Sequence, residues 1–285
     1  MMKIANIGYA FLFMNGCCLK GGVLMAINTF KRYELKFLLN DEQYNGILPV
    51  IHQYMNPDKY CVGGREYGIY NIYYDTDDNY LIRTSLEKPY YKEKIRLRSY
   101  YSPAQPDDRV FLEIKKKIGG IVTKRRVSMT LAQAEDFLKY GNLPPESSKY
   151  IQNQVMAELV QFLKTYHIHP AQYISYQRSA FFGKDNNDFR LTFDRKITAR
   201  RYDLSLANES YGNQIIEEDQ HLMEVKIIGS MPLWLSHSLS ELGIFKTSFS
   251  KYGRAFKGYT LEKMIENGIY VNARNREFIK TAQRS

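Results

Sequence analysis

Cysteine is scarce in this chain. Its 285 residues hold three, Cys17 and Cys18 side by side and Cys61 alone, so neither a disulfide framework nor a Cys-x-x-Cys metal spacing is available. Such usage implies a reducing cytoplasm. Histidine is nearly as sparse, five in all. His167 and His169 flank Ile168 in a pattern that suits a strand or helix end, and two lone imidazoles do not complete a zinc site. No run reaches the roughly 18 consecutive apolar residues that a membrane-spanning helix needs. No repeat, low-complexity tract or Pro/Ser-rich linker divides the sequence, which excludes solenoid and multi-module readings.

Positive charge, by contrast, is in excess. Forty Lys and Arg stand against thirty Asp and Glu, a formal net charge of +10, while a 44% hydrophobic share is ample for a buried core. Disorder is thereby excluded as the main state, and an anionic partner is favoured: nucleic acid, phosphorylated metabolite, polyphosphate or membrane surface. Residues 1–28 read as a leader or an over-extended start, poorly ordered. Their apolar run from Ile4 to Met14 is broken by Asn6 and Gly8, and Met25 opens a self-sufficient beginning. Residues 29–285 read as a single domain.

Within that domain alternation is the main signal. Arg32, Glu34 and Lys36 share one face of a strand opposite Tyr33, Leu35 and Phe37. Asn40 is placed to cap a helix running to about Met55, distorted by Pro49. Further strands are expected over 67–75, 91–100, 110–117, 121–129, 173–182, 189–199 and 221–228. Helices are expected over 131–140 and 148–166, with a short one after Pro232 and helical structure in part after Lys251. Gly119-Gly120 marks a two-residue hairpin, in which opposed residue numbers sum to 239. That register sets Glu113 against Arg126 and Lys115 against Lys124. Like charges facing across a ladder are destabilising, so an anion is expected to compensate Lys115 and Lys124.

The same pattern recurs on five strands, over Arg32 to Lys36, Lys94 to Arg98, Glu113 to Lys117, Arg190 to Asp194 and Glu224 to Lys226. Faces rich in Lys and Arg, a few interleaved carboxylates, and opposite faces apolar enough to need covering helices fit one architecture. That architecture is an α+β fold built on an antiparallel β-barrel tunnel of about eight strands, closed or nearly so, with a charged lumen and helices outside. Guanidinium groups bind phosphate oxygens bidentately and ammonium groups act as movable charges, so the lumen suits a dense polyanion. A carboxylate among such cations has a use in holding a divalent metal that bridges phosphate oxygens. Glu224 is the first candidate for this, with Glu34 and Glu113 behind it; the plainer reading of Glu224 is an ion pair with a neighbouring Arg or Lys.

Taken in order, Tyr-Glu-Leu-Lys36-Phe, Tyr73-Tyr74-Asp75, Lys94-Ile-Arg96-Leu-Arg98, Glu113-Ile-Lys115, Lys124-Arg-Arg126, Tyr176-Gln-Arg178, Arg190-Leu-Thr-Phe-Asp194, Glu224-Val-Lys226 and Ser250-Lys251-Tyr252 resemble the VTC-type polyphosphate polymerase domains of the triphosphate tunnel metalloenzyme group. The resemblance covers about Phe30 to Gly258 and matches a stand-alone, prokaryote-like version. It implies transfer of the γ-phosphate of ATP to a growing polyphosphate chain, with Mn2+ as the metal or Mg2+ in its place. Arg96, Arg98, Lys115, Arg178 and Arg190 are then candidate catalytic residues, and Lys36, Lys94, Lys124, Arg126, Lys226 and Lys251 candidate substrate-binding ones. Arg178 and Lys251 rest on the resemblance alone. Where the wider group opens with Glu-x-Glu-x-Lys, this chain has Arg32 in place of the first Glu, which weakens a two-metal hydrolytic site.

The expected partners are ATP and polyphosphate, without nucleic acid, because the cations converge on inward faces and do not form an exposed stripe. No integral membrane segment is expected, although a membrane-associated partner is compatible with the charge. Two alternatives stay open: a triphosphatase or nucleotide phosphohydrolase of the same fold, and a silent polyphosphate- or nucleotide-binding module.

Overall fold

A computed structural model describes residues 32–119 and 121–268; the expected leader over 1–28 lies outside them. Strand β1 (Arg32–Leu39) runs into helix α1 (Asp41–Tyr54) through Asn40, whose side chain accepts from the Gln43 N–H while the Gln43 side chain accepts from the Asn40 N–H. This reciprocal box is why the helix starts where it does. Pro49 lies inside the helix without ending it. There follow β2 (Met55–Pro57), β3 (Tyr67–Asp75), α2 (Tyr80–Leu86), β4 (Tyr91–Ser99), β5 (Arg109–Ile118), β6 (Ile121–Thr130), α3 (Leu131–Tyr140) and α4 (Tyr150–Thr165). The chain closes with β7 (His169–Gly183), β8 (Arg190–Arg200), β9 (Asn213–Gln214), β10 (His221–Ile228), α5 (Leu233–Glu241) and α6 (Lys251–Glu266).

Eight strands form one antiparallel path, β1-β10-β8-β7-β3-β4-β5-β6, with β2 paired to β7 and β9 to β8. The sheet therefore has ten strands among the described residues, two more than the patterning predicts, and no ladder joins β1 to β6. It is a curled sheet with an open seam where a closed barrel is one of the two forms expected. Curling is nonetheless strong: Glu34 of β1 reaches within 3.7 Å of Lys115 of β5, six strands along the path. The hairpin register is as the two-glycine turn requires, with Glu113 opposite Arg126 and Lys115 opposite Lys124.

Outside this sheet the alternation meets its expected cover. Ile72, Ile95, Leu97, Leu112, Ile114 and Val127 pack under Phe137 of α3 and Leu159 of α4. Phe37, Leu191, Phe193, Met223 and Val225 pack under Ile47 and Ile51 of α1 and Leu235 of α5. Each fully buried side chain of this size contributes about 1.5–3 kcal/mol. Among the described residues no such helix layer covers the charged stretch of the opposite face. Part of it is nevertheless filled: beyond Lys36, Glu224 and Arg178 the inward positions become Leu38, Leu222 and Tyr176 with Ile174, and these pack on Tyr252 and Ala255 of α6. The first turns of α6 thus seal one stretch of the interior with apolar surface, and the charged groups occupy what remains. No described helix is long and apolar enough to cross a membrane.

Candidate functional site

Two carboxylate hubs organise the interior. The first is built by β1, β7, β8, β10 and the start of α6. Glu224 Oε1 lies 3.1 Å from Lys36 Nζ and 3.2 Å from Lys251 Nζ, and Oε2 lies 3.5 Å from the Arg178 guanidinium. Arg178 also forks onto Asp194, donating Nε to Oδ1 at 2.5 Å and a terminal nitrogen to Oδ2 at 2.7 Å, while Lys251 meets Asp194 Oδ2 at 2.5 Å. Burial alone would raise the pKa of Glu224; Lys251, Lys36 and Arg178 outweigh it and hold the carboxyl well below its ordinary range. The aromatic ring of Tyr176 lies under both Arg178 and Lys251, at 5.2 and 4.6 Å from its centroid.

The second hub is built by β3, β4, β5 and β6 around Glu113, whose side chain is 2% exposed. Arg96 Nε donates to Glu113 Oε2 at 2.8 Å, Arg98 lies 3.5 Å from the same oxygen, and Lys124 Nζ is 2.6 Å from Oε1. Arg96 also donates to the Tyr73 hydroxyl at 2.8 Å, and Arg98 Nε to Asn71 Oδ1 at 3.1 Å. Burial opposes the charge on Glu113, yet Arg96, Arg98 and Lys124 depress its pKa far below normal. For Lys124 burial prevails, and its pKa is pushed down to about 8 despite Glu113. The anion expected to relieve Lys115 and Lys124 is therefore protein in the first instance: Glu34 for Lys115, Glu113 for Lys124.

Between the hubs lie cations without a carboxylate. Lys94 has no ion pair among the described residues; its ammonium donates to Ser250 Oγ at 3.4 Å and sits 5.8 Å from the Tyr252 ring centroid. Burial first, then repulsion by Lys92, Lys115 and Lys36, pushes its pKa down to about 7. Lys226 has no ion pair among the described residues either, and burial lowers its pKa although Glu224 and Glu34 draw the other way. Arg126 and Arg190 stand at the periphery: both are exposed and lie over the rings of Phe111 and Phe182, each at 4.8 Å, instead of joining a hub. Of the residues singled out in the sequence, Lys36, Arg178, Glu224 and Lys251 meet in the first hub and Arg96, Arg98, Glu113 and Lys124 in the second. Glu34 and Lys115 bridge across the curl, with Glu34 also 3.4 Å from Lys36.

Sequence reasoning passed over several participants. Asp194 was visible only as one of the interleaved carboxylates, and its buried fork with Arg178 depends on the β7–β8 register that opposes the two. Asn71 orients Arg98, and Tyr73 both accepts from Arg96 and stacks on Tyr252 at 4.6 Å between centroids. Asn71 carries no local signal, because a polar residue inside a strand reads as an ordinary face position, and Tyr73 enters only through the Tyr73-Tyr74-Asp75 motif without its role.

The chemistry of the donors bears on a metal. No group of three His, Cys, Asp or Glu suited to holding an ion is present among the described residues. Glu224 and Asp194 offer hard oxygen donors sharing Lys251 and Arg178, which fits a hard divalent cation only if phosphate oxygens complete its shell. Two surface cavities of about 550 and 520 Å³ lie apart from the hubs, one against α6 around Arg200 and Tyr259, the other around Ser175 and Tyr211.

Among curated proteins no sequence matches the chain. Solved structures resemble it at low identity. A candidate adenylate cyclase from Bacillus halodurans is 14% identical with a TM-score of 0.48, covering 78% of this chain and 94% of that one. A candidate adenylate cyclase from Vibrio parahaemolyticus is 13% identical at a TM-score of 0.38, covering 79% and 97%. A candidate adenylyl cyclase from Hippeastrum, described with a dominant triphosphatase activity, is 14% identical at 0.44, covering 84% and 96%. Likenesses of this depth leave the activity of this chain open. The family model decides what they do not: the VTC domain matches residues 31–259, well over half of the sequence, and takes in both hubs. The chain belongs to the VTC domain family.

Proposed function

We propose that the protein is an ATP-dependent polyphosphate polymerase, in which a terminal phosphate of the growing chain attacks the γ-phosphorus of ATP inside the curled sheet. The observation that carries this reading is the composition of the interior. Eight Lys and Arg side chains (Lys36, Lys94, Arg96, Arg98, Lys115, Lys124, Arg178, Lys251) converge there, and the carboxylates among them are already committed to cations. Such a site neutralises phosphate on both reacting partners, and among the described residues its carboxylates are tied to cations and not poised to activate water. Two phosphates can react without a protein nucleophile, since positioning and charge stabilisation supply most of the catalysis.

Arg96 and Arg98 are assigned to the triphosphate because their planar forks are fixed by Glu113, Tyr73 and Asn71 before any ligand arrives. Arg178, held by Asp194, is assigned to charge developing at the transferred phosphoryl group. Lys36, Lys115, Lys124 and Lys251 supply movable charge beside them, and Lys94 and Lys226, lacking carboxylates, take up substrate charge directly. Arg126 and Arg190 serve at the periphery, where they meet phosphates entering or leaving. Glu224 would hold a divalent cation, Mn2+ by family expectation, and such an ion would supply charge that offsets the phosphates.

The test is turnover. Purified protein given ATP and Mn2+ is expected to release ADP together with polyphosphate that resolves as a ladder on a gel, and Arg96→Lys to lower the rate at least about a hundredfold. Orthophosphate released from tripolyphosphate without chain growth would replace this reading by the triphosphatase one. Saturable polyphosphate binding with unchanged ATP would replace it by a binding module.

A further inference from the structure

The β4–β5 ladder continues the cationic row beyond the hubs. Lys94 stands opposite Lys115, and two residues further out Lys92 stands opposite Lys117. Lys115 is opposed by Lys124 on its other side, whereas Lys117 meets Val122. Like charges set directly against each other across antiparallel strands cost up to about 1 kcal/mol per pair. Here two successive pairs do so on the same face. Along β4 the row also runs outward: Arg98 is buried, Arg96, Lys94 and Lys92 are half-buried, and Lys88 in the preceding loop is exposed.

The other face of the same strands behaves differently. Lys116 lies 2.8 Å from Glu158 and 3.8 Å from Glu93, and Arg125 lies 3.6 Å from Glu158. Cations facing the outer helices are therefore matched by carboxylates. On the inward face Lys92 and Lys117, and beside them Lys88 in the loop before β4, have no ion pair among the described residues, and the Lys92 ammonium is held instead by the carbonyl of Ser85 at 2.8 Å. Burial, then Lys117, Lys88 and Lys115, lower the pKa of Lys92, and no acid counters them. An unmatched row one register step beyond a phosphate-binding interior has a natural counter-ion in the same polyanion.

We propose that Lys88, Lys92 and Lys117 form an outer phosphate-binding run, continuous with Lys94 and Lys115, that holds the polyphosphate chain beyond the triphosphate. The inference rests on the interior being a phosphate site, and it adds where the chain lies once it outgrows that site. The exposed Ile118, Ile121, Val122 and Tyr90 at the hairpin tip make an anionic lipid surface the competing occupant.

The experiment compares binding by full-length protein of fluorescent polyphosphate about a hundred units long with binding of tripolyphosphate, at several salt concentrations and without turnover. Lys92→Ala/Lys117→Ala is expected to lose about tenfold in affinity for the long chain, to hold tripolyphosphate within about twofold, and to reduce the slope of log affinity on log salt by about two. Lys117→Ala alone, which leaves the Lys92–Ser85 hydrogen bond intact, is expected to lose about threefold and controls for a folding defect. Equal loss for both ligands, or loss for neither, overturns the proposal. So does binding to phosphatidylglycerol vesicles that the double variant loses while long-chain affinity is kept. A wild type that fails to bind tripolyphosphate refutes the interior site itself, whereas intact tripolyphosphate binding with unchanged long-chain affinity in the double variant refutes only the outer run.

Discussion

Lys94 shows how a single side chain trades stability for ligand. Its pKa is pushed down to about 7, against about 10.4 in an unfolded chain. Between those values the unfolded state holds more protons, so this group's contribution to stability rises with pH from about 7 to about 10 and is least favourable below 7. Lys94→Met is accordingly expected to raise the Tm at pH 6 by about 2–4 °C, near 1 kcal/mol in a domain of this size, while weakening tripolyphosphate binding about tenfold. Calorimetry checks both, and a lowered Tm with full affinity would contradict the assignment. Glu113 has the same pH slope, but here it is the charged form that the folded state favours. Its depressed pKa makes its contribution present above about pH 4.3 and lost as pH falls towards the folded value. Glu113→Gln leaves Arg96, Arg98 and Lys124 without their shared anion, a loss of about 3–5 kcal/mol measurable by urea unfolding; a change under 1 kcal/mol would show the hub to be dispensable. Lys94 and Glu113 were both legible from strand parity. Asn71 was not, and of Asp194 only the position was, since their partners are 27 and 16 residues away and only the register brings them together.

Among the elements, α2 was not foreseen, and the reason is physical. It is seven residues long, begins at Asn79 in the left-handed region, and has no cap from its own N-cap side chain. The capping acceptor comes instead from the end of β3: Asp75 Oδ1 accepts from the Leu81 N–H at 2.8 Å and Oδ2 from the Ile82 N–H at 3.0 Å. The same carboxylate accepts from the Tyr252 hydroxyl at 2.7 Å, tying α2 to the start of α6. Asp75→Ala is expected to cost about 4–9 kcal/mol, from three hydrogen bonds to a charged group at about 1.5–3 each. Hydrogen exchange should show protection lost over both 80–86 and 251–258; protection unchanged in the second segment would refute the tie. Longer elements carried their own signals. Asn40 and Thr130 sit at box-capped starts, and the two-glycine turn fixed the β5–β6 register. β2 and β9, at three and two residues, are too short for any period to show.

For the whole molecule, the net charge of +10 is concentrated in part on an inward surface, where mutual repulsion opposes folding until an anion enters. Ligand and stability are therefore linked: tripolyphosphate at a hundred times its Kd is expected to add about 2.7 kcal/mol and raise the Tm by about 5–10 °C, with the gain shrinking in high salt. The architecture was largely legible because inward and outward faces alternate on every long strand. The open seam between β1 and β6 was not decided in advance, since alternation says which way a side chain points and nothing about whether the sheet's two edges meet.

Phosphorus-31 NMR of the purified protein with ATP and a catalytic amount of Mn2+ tests the central claim most directly. The account predicts that the γ-phosphate signal of ATP falls as ADP signals and a growing resonance of internal chain phosphates appear, with little orthophosphate. Orthophosphate appearing in step with ADP, and no internal-phosphate resonance at any time, would contradict it.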